Sequence, residues 1–265
     1  MKTLIRVVGL MLSGVWMAQA MATVTPVSDA RGEMIARAAI DSGKGFGDSQ
    51  VGVTMQLISA TGEVRERRLD IRTIEVAADG DRTLMLFSYP GDQAGIGLLS
   101  HAHPGAPDEQ WLYLPSLKRV KQIASQNRSG PFVGSEFAFE DLEPADFMRY
   151  RYRALTDDVV GGEPCNVIER IPLSEYSGYS RQKVWIHARY HRYEKIEYYD
   201  KDGALLKTLR FSGYQLFEQR FWRPAEMHMS NHQSGRKTSM FLKGYRFRTG
   251  LSVAAFSLNS LQRAR

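Results

Sequence analysis

Between residues 51 and 247 the chain is a succession of short segments in which apolar and polar residues alternate, separated by tight-turn signals. That pattern leaves few folds open. Val51, Val53, Met55 and Leu57 alternate with Gly52, Thr54 and Gln56, the period-two signature of a half-buried strand. Thr61-Gly62 turns the chain, and residues 63–76 read as a long charged strand with Leu69 and Ile71 on one face. Asp79-Gly80-Asp81 is a hairpin signal leading into a returning strand over 82–89. Further strands are predicted over 94–101, 110–114, 147–155, 166–171, 181–190, 193–199, 205–214, 217–230 and 237–247, with a second hairpin at Asp200-Lys201-Asp202-Gly203. Ser28 or Asp29 caps a predicted helix running through Ala39, which Gly43, Gly45 and Gly47 then break. The tail over 251–261 reads as a short helix packed over a sheet edge. Strands in sequential hairpins favour a meander that curls into a barrel or half-barrel. A sheet with so many strands has a concave interior that side chains or a ligand must fill.

Residues 109–142 carry the densest functional signal. Two short apolar strands flank a Pro115-Ser116 turn, and a loop follows that holds Gly130, Pro131 and Gly134 together with Phe132, Phe137 and Phe139. Three aromatic rings on a glycine-hinged loop are costly to leave in water, so they call for something to cover. A flap over an apolar cavity satisfies that demand. The expected lining comprises Trp111, Tyr113, Met148, Trp185 and Phe211, with Phe132, Phe137 and Phe139 closing over it. Arg128, inside the flap, is expected either to tether it through backbone carbonyls or to meet a polar head group.

The N-terminus reads as an address. Lys2 and Arg6 precede an apolar stretch over 7–17, and Ala18-Gln19-Ala20 fits the small-x-small cleavage rule. The apolar run is short for a membrane span, and no cysteine follows the cleavage site to take a lipid. The expectation is a cleaved signal peptide, residues 1–20, and a single exported, periplasmic domain over 21–265. Removing the first 20 of 265 residues leaves 245, and losing Lys2 and Arg6 lowers the formal charge from +6 to +4. That mild, scattered surplus suits transient contact with anionic membrane surfaces and is no nucleic-acid footprint. Cys165 is the only cysteine, so no internal disulfide can form, and it reads as a buried small apolar residue.

Several motifs carry a family resemblance. They are Gln110-Trp-Leu-Tyr-Leu-Pro115, Lys118-Arg-Val-Lys121, Asn127-Arg-Ser-Gly130, Gly134-Ser-Glu-Phe137 and Glu140-Asp-Leu142. Further along stand Gly162-Glu-Pro-Cys165, Ser177-Gly-Tyr-Ser-Arg181, Tyr199-Asp-Lys-Asp-Gly203 and Gly235-Arg-Lys-Thr238. With these the chain resembles the outer-membrane lipoprotein-sorting proteins, relatives of the LolA and LolB periplasmic carriers, from about residue 29 to the C-terminus. The resemblance implies an open β-barrel with helices across its mouth and a hydrophobic cavity for acyl chains. It also implies a setting beside RND-type exporters in the inner membrane.

No cofactor and no catalytic residue is assigned. The six histidines form three pairs, His101/His103, His187/His191 and His228/His232. The last two pairs lie in or beside strands, where four residues span about 13 Å and cannot close a metal site. Glu136, Glu140, Asp141 and Glu143 form an acidic run, read as a solvated flap face or as contacts to Lys118, Arg119 and Lys121. Gly178-Tyr179-Ser180 lacks the second glycine of a nucleophile elbow. The expected function is therefore a carrier that holds lipid or lipoprotein acyl chains and delivers them toward the outer membrane. The alternatives are an envelope lipid-stress sensor using the same pocket and, more distantly, a lipid hydrolase. An outer-membrane barrel is disfavoured, because residues 63–70 break any lipid-facing apolar row.

Overall fold

The structure is a computed structural model that describes residues 28–77 and 79–263. The expected leader and its cleavage motif at 18–20 lie outside the described residues.

One 14-stranded antiparallel sheet is built from two meanders that meet at its centre. The first runs outward through β1 (Asp48–Ile58), β2 (Val64–Ile74), β3 (Arg82–Tyr89), β4 (Gly97–His101), β5 (Glu109–Leu114) and β6 (Arg119–Gln122). The second begins at the opposite edge with β7 (Tyr150–Ala154), to whose neighbour β9 (Glu163–Pro172) the short β8 (Asp158–Val160) also pairs. It returns inward through β10 (Arg181–His187), β11 (Tyr193–Tyr199), β12 (Leu205–Ser212), β15 (Glu226–Asn231) and β16 (Lys237–Phe247). There β16 pairs with β1, from Gly52 opposite Lys243 to Ile58 opposite Lys237, so the first and last strands form the central seam. Asp48 ties the seam at one end, its carboxylate accepting from the amides of Thr249 and Gly250 at 2.8 and 3.1 Å. The edges β6 and β7 do not pair, and the protein is a mainly-β open half-barrel.

Strand alternation assigns every side chain to one of two faces. The concave face carries the main core, with Val53, Met55, Leu69, Phe87, Leu98, Ile168, Val184, Ile186, Leu209 and Met229. The outer face carries two smaller clusters. One lies over β2 to β5 and holds Ile74, Leu84, Leu99, Phe256 and Leu261. The other joins Cys165, Val167 and Trp185 on β9 and β10.

The N-terminal helix α1 (Ala30–Ser42) runs three residues past its expected end at Ala39. Asp29 caps it, one carboxylate oxygen accepting from Gly32 N at 2.6 Å and the other from Ala154 N of β7 at 2.8 Å. These bonds to its charged form hold the Asp29 carboxyl below its ordinary value, Gly32 having the largest effect. Ser28 accepts from Tyr152 N at 2.9 Å, so both capping candidates bind the helix start to the sheet edge. A Cβ on Gly32 would stand 2.8 Å from Ala154 N, so only glycine allows this approach. Ile35, Ala36 and Ala39 then enter the main core. The tail forms α2 (Leu258–Arg263), which lies on β4 and β5 near the β6 edge.

Three expected strands differ in detail. The one predicted over 217–230 is three: β13 (Gln215–Phe217) and β14 (Phe221–Arg223) make a separate ribbon, and β15 follows. Glu218 and Gln219 take left-handed φ values of 48° and 57° to make the ribbon's turn, and Pro224 has no N–H to continue a ladder. The strand predicted over 94–101 begins at Gly97, because the amides of Gln93 and Ala94 turn back onto the Pro90 carbonyl. The strand predicted over 147–155 opens with a single 3-10 turn, capped where Asp146 accepts from Met148 N at 2.9 Å.

Candidate functional site

Residues 123–149, which contain the loop predicted as a flap within 127–142, carry the chain from edge β6 to edge β7 straight across the concave face. The segment contains short 3-10 turns rather than strands. Three of its four phenylalanines point inward: Phe132, Phe137 and Phe139 are 0, 1 and 8% exposed. Phe132 stands 5.7 Å from both Phe87 of β3 and Phe139. Each buried ring contributes about 1.5–3 kcal/mol relative to exposure. The concave interior is thus filled by the protein's own aromatic plug.

Polar latches hold the plug to strands far away in sequence. Glu136 accepts from Asn231 Nδ2 of β15 at 2.8 Å and pairs with Arg236 at 2.9 Å. Its amide donates to Thr238 of β16. Asp141 accepts from Lys207 Nζ at 2.6 Å, from the Tyr179 hydroxyl at 2.8 Å and from Ala138 N at 2.7 Å. The Lys207 and Asp141 side chains are 5 and 1% exposed, so this is a buried pair, with further bonds to satisfy it. Glu140 accepts from the Ser177 hydroxyl and Gly178 N, both at 2.8 Å. Gly178 is required there, since a Cβ would lie 2.9 Å from Ser129 Cβ and 3.1 Å from the Glu140 carboxylate. Arg67 of β2 donates to the Val133 carbonyl. The acidic run therefore does not meet Lys118, Arg119 and Lys121, which ride on or beside the exposed edge β6. It faces inward and bonds Lys207, Arg236 and, through Glu143, Arg149.

Beyond the latches a cleft of about 590 Å³ opens between the β4–β5 loop, the end of the plug and the β9–β10 loop. Its rim is apolar and exposed at Met148, Leu173 and Tyr176. Its floor is an ionic cluster. Arg149 pairs with Asp108, with Glu143 at 2.6 Å and with Asp146 at 3.3 Å. Arg128 donates to the Asp108 carbonyl and stands 3.4 Å from Glu143. Burial pushes the Glu143 carboxyl up to about 7, against the pull of Arg149 and Arg128. Burial also raises Glu140, although its bonds from Gly178 and Ser177 oppose the shift. At the other end of the half-barrel a second pocket of about 180 Å³ lies between the end of α1, the β10–β11 turn and β14.

The eight residues expected to share one cavity are divided among separate places. Phe132, Phe137 and Phe139 are in the main core, and Phe211 packs against it from β12 and lines the second pocket. Met148 is on the rim of the large cleft. Trp111 and Tyr113 face outward beneath Phe256 and Leu261, because their neighbours Leu112 and Leu114 take the concave side. Trp185 is also on the outer face, its indole N–H donating to Asp158 at 2.8 Å and Lys195 lying 3.4 Å over its ring. Arg128 meets a carbonyl of the β4–β5 loop.

Lys207, Tyr179 and Arg149 escaped the sequence reading. Lys207 did leave a signal: it shares the alternation face of Leu209 and Phe211, so a strand there buries its charge and demands a carboxylate. The histidine pairs do not converge on shared sites. His101 bonds the Phe256 carbonyl, His187 bonds Glu163, and His232 bonds Thr208. Among the described residues no group of three or more His, Cys, Asp or Glu could hold a metal. Cys165 is buried, and burial pushes its thiol up to about 11.

Comparison with known proteins places this geometry. Residues 79–263 match a family described as an uncharacterized protein. A domain from Vibrio parahaemolyticus described as an outer membrane lipoprotein-sorting protein is 42% identical, with a TM-score of 0.86 over 88% of this chain and 99% of its own. A DUF1329 family protein from Desulfovibrio piger is 26% identical, with a TM-score of 0.83 over 89% of this chain and all (100%) of its own. A LolA superfamily protein from Nitrosomonas europaea shares the fold at 18% identity, with a TM-score of 0.69 over 89% of this chain and 100% of its own. No curated protein matches significantly. The chain belongs to the outer-membrane lipoprotein-sorting protein family.

Proposed function

We propose that the protein is a periplasmic carrier that binds lipid or lipoprotein acyl chains on its concave face and delivers them toward the outer membrane. In this reading the leader over 1–20 is cleaved, residues 21–265 form one exported domain, and an RND-type inner-membrane transporter supplies or drives the cargo. The observation that carries the reading is the plug. An apolar concave face is covered by a strand-free segment whose phenylalanines are held by side-chain latches, not by a sheet ladder. An acyl chain can replace ring contacts of that kind without breaking the sheet. The similarity to a lipoprotein-sorting domain at 42% identity supports the same reading. No helix among the described residues is long and apolar enough to cross a membrane.

The proposed ligand contacts are Phe132, Phe137 and Phe139, which the ligand displaces, with Phe211 and Met148 at the two ends. Trp111, Tyr113 and Trp185 support the sheet from outside. We propose binding without catalysis. Ser180 precedes β10 and His187 ends it, about 23 Å apart along the strand, and Glu136 is committed to Asn231 and Arg236. The test is native mass spectrometry of protein purified gently from the envelope, paired with titration of a fluorescent fatty-acyl probe. A co-purifying lipid mass and saturable probe binding are expected. Absence of both, across several chain lengths, overturns the carrier reading.

A further inference from the structure

The two ends of the concave face differ in charge. At the large cleft both arginines are spent on carboxylates: Arg149 on Asp108, Glu143 and Asp146, and Arg128 on Glu143. Glu140 and Glu175 line the same cleft. An anion arriving there meets more negative charge than positive.

The second pocket has the opposite character. Arg192, Arg220 and Arg223 line it, and no aspartate or glutamate does. Arg192 is structural, pairing with Glu194 at 2.8 Å and lying over the rings of Tyr214 and Trp222 at 4.3 and 4.7 Å. Arg220 and Arg223 have no carboxylate partner among the described residues. Arg220 donates to the Lys44 carbonyl at 3.0 Å, and Arg223 to the carbonyls of Gly43 and Trp222 at 3.3 and 3.2 Å. Both thereby serve the C-terminal end of α1, which carries no basic residue in its own last turn. A guanidinium has five N–H donors, so each side chain keeps donors for a further acceptor. The pocket abuts the core, because Ala39, Tyr193 and Phe211 line the one and pack in the other. A volume of about 180 Å³ suits a head group and not a chain.

We infer that this pocket is an anion subsite for the phosphate of an acylated phosphoester, held by Arg220 and Arg223 while its acyl chain passes under the end of α1 onto the concave face. The inference rests on the carrier reading and gives the cargo a polarity: phosphate at the α1 end, chain toward the plug.

The test compares two fluorescent probes with the same acyl chain on the full exported chain, a lysophosphatidic acid and the corresponding monoacylglycerol. The phosphorylated probe is expected to bind more tightly, by about tenfold for each arginine that contacts it. Arg220→Gln, at an exposed position, is expected to lose about tenfold for that probe alone. Arg220→Gln/Arg223→Gln is expected to make the two probes equal. Competition by inorganic phosphate against the phosphorylated probe only would show that the subsite also takes free phosphate. Failure to compete, with the preference intact, would assign the site to the lipid. Equal affinity of the two probes in the wild type, or a preference that survives in the double variant, overturns the subsite and leaves the carrier reading standing. Binding of neither probe overturns the carrier reading itself.

Discussion

Lys207 is the residue on which the plug depends most. Its ammonium is buried, bonds Asp141 at 2.6 Å and the Glu136 carbonyl at 2.9 Å, and lies 5.2 Å over the rings of Tyr179 and Tyr198. Removing one partner of a buried pair leaves an unpaired charge and costs about 3–5 kcal/mol. Lys207→Ala is therefore expected to destabilise by that amount in urea unfolding, while Lys207→Met combined with Asp141→Asn recovers much of it. Losses in the double variant that equal the sum of the singles would show the pair to be uncoupled. Glu143 adds a pH dependence. Its carboxyl holds a proton to about 7 when folded, against an ordinary value of 4.5, and burial is the main cause. The raised value favours folding below about 4.5, and that stabilisation, on the order of 3 kcal/mol, is lost as pH rises from there through about 7. Glu143→Gln keeps the neutral form, so its stability advantage over wild type is expected to grow between pH 5 and 8. Parallel pH profiles for the two proteins would refute the assignment. Arg128, Arg149, Asp108, Asp146 and Glu140 face the same cluster, so the comparison must be made variant against wild type and not on the wild type alone.

At the scale of elements, the tail and the plug cover opposite faces of one sheet and should fail differently. Phe256 and Leu261 cap Leu99, Trp111 and Tyr113 on the outside, whereas Phe137 fills the inside. Trp111→Ala and Phe256→Ala are each expected to cost about 3–5 kcal/mol in stability and to leave acyl-probe affinity unchanged in the folded fraction. Phe137→Ala is expected to change probe affinity as well. Loss of probe affinity in Trp111→Ala at undiminished stability would return that residue to the ligand site. This division also marks how far the sequence could be read. Alternation in β1, β3, β11 and β16 makes strands legible, because period two is a local property. It separates Trp111 from Leu112 but does not say which face is concave, since that depends on the curl of the whole sheet. The ribbon at β13 and β14 was hidden because left-handed Glu218 and Gln219 carry no glycine signal. The acidic run was visible while its partners were not: Lys207 and Asn231 lie on strands, and Arg236 in the β15–β16 turn, that only the second meander brings under the plug.

For the whole molecule, the two meanders form a continuous frame, and the plug is the part that the proposed carrier function requires to leave. The β1–β16 seam and both meanders are held by backbone ladders. The plug is held by three rings and a set of side-chain bonds. Re-exposing three buried phenylalanines costs about 5–9 kcal/mol, and a chain that replaces them returns about 0.8 kcal/mol per buried methylene. Some six to eleven methylenes are therefore needed before loading breaks even. Acyl probes shorter than about ten carbons are expected to bind weakly or not at all, and affinity should climb steeply with length beyond that threshold. Loading should also leave a spatial record. Amide hydrogen exchange is expected to rise across residues 123–149 when a long-chain probe binds, with β1, β2 and β16 staying protected. A uniform gain in protection that includes 123–149 would mean that the ligand sits on a closed plug, and displacement would be the wrong mechanism. A steep length threshold combined with local exchange is the joint signature of a carrier whose empty state fills its own cavity, so that loading and release lie close in free energy.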